Sequence, residues 1–142
     1  MRILLVEDDN KLGKIIKSTL EEEGHEVTLC RCLKEAQKAI KADLEKFGAV
    51  ITDIQIPIFR GHHHTDAYGL EIVGMVLIND EGLTPKHLYV HSSETKADGE
   101  DIKEKLKEAY PTAVFSLKDW DNAVTAQKVL DFVALQEQLS GE

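Results

Sequence analysis

The chain has 142 residues, 42% of them hydrophobic, which suits one domain with a single core. Its 26 acidic residues outnumber 17 basic ones for a net charge of −9, which argues against a nucleic-acid surface, since that needs a basic stripe. No stretch is long and apolar enough to span a membrane and no signal peptide is visible, so a cytoplasmic protein without membrane contact is expected.

The first element is Arg2-Ile3-Leu4-Leu5-Val6, a short apolar run of the kind that is buried on both faces in a parallel sheet. It ends in Glu7-Asp8-Asp9. Leu12, Ile15, Ile16, Thr19 and Leu20 then recur at helical spacing, and Gly24 reads as the helix stop. Asp9 stands just before this helix and is read as its cap. A second strand is centred on Val27 and Leu29. Cys30 and Cys32 follow it; in extended chain they point to opposite sides, so reduced thiols rather than a disulfide are expected. Ala36, Ile40, Leu44 and Phe47 mark a second helix closed by Gly48. The third strand runs from Ala49 to Asp53.

Leu70 to Ile78 reads as an apolar helix, His87 to His91 as a fourth strand, and Asp98 to Tyr110 as a charged helix with a thin apolar line of Ile102 and Leu106. Ala113 to Leu117 is the fifth strand and ends on Lys118. Asp121 to about Gln138 is the last helix. Strand and helix alternate five times, which predicts an α/β fold with a doubly wound parallel sheet; right-handed crossovers put helices on both faces. The few residues after Gln138 leave the expectation of one domain over 1–142.

Ligands bind outside the carboxyl ends of such strands. Two strand ends are acidic (Glu7-Asp8-Asp9 and Asp53) and one is basic (Lys118), so carboxylates and a lysine are expected in one crevice. Grouped carboxylates are costly to hold together without a cation. Oxygen ligands with few protein contacts suit Mg²⁺, which keeps several waters and favours phosphate partners.

In this order and at these strand ends, Ile3-Leu4-Leu5-Val6-Glu7-Asp8-Asp9, Ile51-Thr52-Asp53-Ile54-Gln55-Ile56-Pro57, Ser92-Ser93-Glu94 and Phe115-Ser116-Leu117-Lys118 resemble a response-regulator receiver domain, the CheY-like phosphoacceptor module of two-component signalling. The resemblance covers nearly the whole chain. It implies a flavodoxin-like five-stranded parallel sheet of order 2-1-3-4-5 with the crevice between strands one and three. It implies that Asp53 is the phosphoacceptor, that Glu7 and Asp8 position the divalent cation with Asp53, and that Gln55 offers a backbone carbonyl to it. Ser92 matches the switch hydroxyl, Lys118 the lysine that pairs with the phosphoryl group, and Phe115 the aromatic that swings between exposed and buried positions; Phe115 reads equally well as plain core. The implied donor is a histidine kinase or a histidine phosphotransfer protein, and the implied output partner is a protein of unstated kind.

The chain departs from the family pattern in three places. Asp119 follows Lys118 where the family usually has proline, and its carboxylate is free to cap the last helix or pair with Lys118. The stretch from Ile58 to Tyr68 reads as an insertion beside the site. That insertion holds His62-His63-His64, whose plain reading is a surface loop and whose sharper one is a lid over phosphoryl access or a partner contact. The leading functional expectation is a stand-alone phosphoacceptor signalling domain rather than an enzyme with turnover. A phosphorylation-independent, receiver-like binding module is the alternative. A Mg²⁺-dependent phosphatase ranks lower, because its nucleophile is expected in an Asp-x-Asp pattern after strand one, where this chain has Glu7 and Asp8.

Overall fold

The computed structural model describes residues 1–43, 46–61, 87–93, 96–97, 100–109 and 113–140. The predicted helix at 70–78, the triple histidine and most of the predicted insertion lie outside the described residues.

Five strands form one parallel sheet: β1 (Arg2–Val6), β2 (Glu26–Cys30), β3 (Ala49–Asp53), β4 (His87–Ser92) and β7 (Val114–Leu117), in the order β2-β1-β3-β4-β7. This is the predicted 2-1-3-4-5 order, since β7 is the fifth strand of that sheet. Helices α1 (Asn10–Glu22), α2 (Leu33–Asp43), α3 (Ile102–Ala109) and α4 (Asn122–Ser140) cover it on both sides.

The two faces follow from the period-2 alternation along buried strands. Ile3, Leu5, Ile51 and Tyr89 point one way and pack against Leu12, Ile16 and Leu20 of α1 and Val129 and Val133 of α4. Leu4, Val6, Val50, Leu88 and Val90 point the other way, against Ala36 and Ile40 of α2 and Leu106 of α3. Each such aliphatic side chain contributes about 1.5–3 kcal/mol when fully buried. Truncating a central one, Leu4→Ala for example, costs about 2–5 kcal/mol, because the sheet cannot close over the gap.

The expected stops and caps of α1 are both present. Asp9 Oδ1 accepts the Leu12 N–H at 3.0 Å. At the other end Gly24 takes φ +89°, its N–H bonds the Glu21 carbonyl at 3.0 Å and the His25 N–H bonds the Leu20 carbonyl at 3.2 Å. That double closure needs a left-handed residue, which glycine supplies without strain. Ile15, predicted on the apolar stripe, is instead exposed at its margin.

One element starts later than the spacing predicts. The polar helix begins at Ile102 rather than Asp98, because Lys96–Ala97 (β5) and Glu100–Asp101 (β6) form a small antiparallel ladder before it. In the sequence these two segments flank Asp98-Gly99, a favoured hairpin dipeptide. The helix is then started by Asp101, whose Oδ1 accepts the Glu104 N–H at 3.0 Å.

The segment after β3 is strapped to the start of α2. The Leu33 and Lys34 N–H groups, which have no partner within the helix, donate to the carbonyls of Pro57 (2.9 Å) and Ile58 (3.0 Å). Arg60 adds a two-pronged pair with Glu35, at 2.8 and 2.9 Å. Cys30 and Cys32 are both buried free thiols. No helix among the described residues is long and apolar enough to cross a membrane.

Candidate functional site

Adjacent, in-register strands set the site. Val6 lies opposite Thr52 in β1–β3, so Glu7 and Asp53 leave the sheet side by side. Asp53 pairs with His91 in β3–β4, and His91 with Ser116 in β4–β7. Glu7, Asp53 and His91 therefore form one row at the carboxyl end of the sheet, on the face covered by α1 and α4.

Lys118 closes this row from the end of β7. Its N–H donates to the Ser92 carbonyl at 2.9 Å, which fixes the backbone, and its Nζ reaches back to Glu7 Oε1 and Asp53 Oδ2, each at 2.6 Å. The contacts join residues 111 and 65 positions apart, so they exist only in the folded sheet. Asp53 is held from its other oxygen as well: Oδ1 accepts the Gln55 N–H at 3.1 Å. Asp8 is half-buried, and one oxygen each from Glu7, Asp8 and Asp53 lie within 4.8 Å of one another.

Charge is concentrated here under little solvent. Glu7 is 0% and Asp53 5% exposed. Burial raises the Glu7 carboxyl well above the ordinary glutamate range; the Asp53 charge raises it further, and Lys118 opposes both. Burial alone would lower Lys118, but the carboxylates of Glu7 and Asp53 outweigh it and hold the ammonium above its usual range. Two buried carboxylates thus share one cation, with Asp8 adding negative charge at the opening.

Ser92 is buried at the end of β4, one residue beyond the partner of Asp53, whereas Ser93 is exposed. A cleft of about 420 Å³ opens beside Lys118, lined also by Asp9, Leu12, Ser93, Asp119, Trp120 and Asn122. Trp120 stands 103% exposed on its rim. Phe115 is half-buried against the α2/α3 side of the core.

Asp119 does neither thing expected of it among the described contacts. Its Oδ1 accepts the Asp121 N–H at 2.9 Å, while its own N–H donates to the Thr125 hydroxyl at 2.8 Å. Asp121 is the residue that caps α4, accepting the Ala123 N–H at 2.9 Å. A pair of consecutive Asx turns therefore shapes the loop where the family usually has proline.

The structure brings together Glu7, Asp8, Asp53 and Lys118 as the sequence predicts, with Gln55 tied to Asp53 by its N–H and Ser92 next to the row. It also puts an unanticipated group there. His91 is 1% exposed, its Nε2 lies 3.9 Å from Glu7 Oε2, and neither ring nitrogen has a hydrogen-bond partner among the described residues. The signal was a histidine inside the apolar run Leu88-Tyr89-Val90-His91, at the register of Asp53.

The five-stranded parallel sheet of order 2-1-3-4-5 has the CheY-like, flavodoxin-like fold, and the comparisons agree. Among solved structures the chain is similar to the receiver domain of HemR from Leptospira biflexa, at TM-score 0.70 and 21% identity over 95% of this chain and 92% of that one. It is also similar to the receiver domain of a putative LuxO repressor protein from Vibrio parahaemolyticus (TM-score 0.71, 19% identity, 99% and 92% covered). A third likeness is to the response regulator TrrA from Thermotoga maritima, solved in complex with Mg²⁺-BeF (TM-score 0.61, 21% identity, 92% and 97% covered). At these identities the likeness shows the fold.

In sequence, the chain is 28% identical over 87 residues to the two-component response regulator ARR11 of Arabidopsis thaliana, which is 61% of this chain and 17% of that protein. To ARR12 of the same plant it is 30% identical over 88 residues, 62% and 15% of the two chains. The matches span about one sixth of the length of these curated relatives. No family model matches. The resemblance to the response-regulator receiver domain is thus borne out in fold and in sequence.

Proposed function

We propose that the chain accepts a phosphoryl group on Asp53 from a phosphohistidine of a histidine kinase or phosphotransfer protein, and uses it to change a partner-binding face. The observation that carries this reading is Lys118 Nζ held 2.6 Å from both Glu7 and Asp53 in a row otherwise made of acids. Phosphoryl transfer asks little covalent chemistry of a protein beyond positioning and charge neutralisation. An Asp53 oxygen attacks phosphorus, the P–N bond to the donor imidazole breaks with its electron pair, and an acyl phosphate is left. Lys118 would pair with a phosphoryl oxygen as a compact point charge. The Gln55 N–H steadies the attacking carboxylate from its other oxygen.

The donor set suits Mg²⁺: three carboxylates within reach of one ion, oxygen-only, with Glu7 Oε2 buried and unpartnered among the described residues. Asp8 and Asp53 would hold the ion directly, Glu7 through water, and the Gln55 carbonyl would complete the set. When bound, the ion screens the repulsion between Asp53 and the incoming anion.

Ser92 is the proposed switch hydroxyl and Phe115 the residue that responds to it. Together they would couple the phosphoryl group to the surface of α3, β7 and α4. The exposed Val114, Leu117 and Val124 give that surface apolar area for an output protein. We propose that the domain acts without turnover on a small substrate and in the cytoplasm. The test is intact-mass spectrometry after acetyl phosphate with Mg²⁺. The wild type should gain one phosphoryl group, in a Mg²⁺-dependent way, and Asp53→Asn none. An unlabelled wild type would favour the phosphorylation-independent module instead.

A further inference from the structure

Glu7 Oε1 accepts a hydrogen bond from the Lys118 ammonium at 2.6 Å. Its second oxygen, Oε2, has no hydrogen bond among the described residues and faces His91 Nε2 at 3.9 Å. Both side chains are essentially sealed from solvent, at 0% and 1% exposure. A buried carboxylate oxygen and a buried imidazole nitrogen, both without partners among the described residues and facing each other, are costly unless one donates to the other.

We infer that His91 is a positioning residue: its ring carries a proton on Nε2 and serves Glu7 Oε2 as a second hydrogen-bond donor, taking over when Lys118 is drawn toward a phosphoryl group. The choice of tautomer follows from the geometry. A proton on Nδ1 would leave a donor buried with no acceptor and aim the Nε2 lone pair at a carboxylate oxygen. A proton on Nε2 points the donor at Glu7 and leaves only an acceptor unsatisfied, which buried structure tolerates better. The ring is held for this job: His91 lies in register between Asp53 and Ser116, its carbonyl accepts the Ile54 N–H at 3.2 Å, and Tyr89 packs edge-on against it at 5.9 Å between centroids.

The takeover itself rests on the proposed phosphoryl chemistry. As long as Lys118 spans Glu7 and Asp53, Oε1 keeps its donor while the 3.9 Å gap at Oε2 stays open. Once Lys118 shifts to a third anion, Glu7 Oε1 loses its ammonium donor. A closure of about 1 Å then makes a charge-assisted hydrogen bond.

The test uses the whole chain labelled with ¹⁵N-histidine, with the His91 resonances assigned by their loss in His91→Gln. Long-range ¹H–¹⁵N spectra of the wild type at neutral pH should show His91 as the Nε2–H tautomer. In Lys118→Met the Nε2 proton should move downfield as the bond tightens. A Nδ1–H tautomer overturns the inference, as does an unmoved Nε2 proton in folded Lys118→Met. Titration with beryllofluoride and Mg²⁺ supplies a second arm that needs no lysine variant. His91→Phe, which keeps the ring and removes the donor, should bind about tenfold more weakly, and His91→Gln, which restores an N–H, should recover most of that. Equal binding by folded His91→Phe overturns the takeover. If the wild type binds no beryllofluoride, the phosphoryl reading falls, and the tautomer arm still decides whether His91 serves Glu7.

Discussion

Lys118→Met keeps the stem of the side chain and removes the charge that two buried carboxylates share. Both contacts are 2.6 Å long and both acids are almost fully buried, so this is a buried ion pair broken from one side. Such a change costs about 3–5 kcal/mol, a large part of the roughly 5–15 kcal/mol that holds a domain together. The loss should depend on pH with a definite sign. Glu7 in the folded protein is raised above its ordinary value, mainly by burial. Its contribution to stability is therefore fully present below the unfolded glutamate value, about 4.3, and declines as pH rises through the folded one. Without Lys118 the opposing influence is gone, the folded value rises further and the window widens. Urea unfolding followed by far-UV circular dichroism should show a small difference near pH 4 and the full loss near pH 8, both without Mg²⁺. Trp120 is the wrong probe for unfolding, since it is fully exposed in the folded state. A loss below about 1 kcal/mol at pH 8, typical of a surface pair, would refute the reasoning, as would equal losses at the two pH values.

Asp8→Ala should weaken Mg²⁺ binding, expected in the millimolar range from the few protein ligands, and Trp120 fluorescence at the rim of the cleft would follow the titration; unchanged affinity would remove Asp8 from the ligand set. Glu35 is held down at about 2, first by its hydrogen bond from Arg60. A carboxylate so depressed stabilises the fold above the unfolded value and loses that contribution as pH falls toward 2, so Glu35→Gln should differ from the wild type in thermal melts at pH 7 and match it near pH 2. Shortening 60–67 to a two-residue link should leave phosphoryl labelling intact while altering the decay of the label; loss of all labelling in a folded variant would make that segment part of the site.

The sheet was legible because buried parallel strands leave a strong mark. Arg2–Val6 and Ala49–Asp53 are apolar runs ending in acid, and their bounds in the structure match those read from the sequence. The acid-lysine cluster followed once the strand order was right, since the register alone brings Glu7, Asp53 and Lys118 together. The start of α3 is not legible because a charged segment gives helical spacing little to act on, and the two-residue ladder that pairs Lys96 with Asp101 is too short to leave an alternating pattern. The role of Asp119 was open because a loop aspartate has several backbone donors in reach, and only the fold selects the Asp121 N–H. His91 was passed over because a histidine in a strand is usually core. What sets it apart is the Glu7 oxygen opposite it, unpartnered among the described residues, which no spacing in the sequence reveals.

The central claim is that Asp53, with Lys118 beside it, is where the phosphoryl group attaches. Borohydride reduces an aspartyl phosphate to homoserine, so the modified position can be read by peptide mass spectrometry after treatment with acetyl phosphate and Mg²⁺. The account predicts homoserine at position 53 and none at positions 8 or 9. Homoserine at either of those positions, or a phosphoryl label that survives in Asp53→Asn, would contradict it.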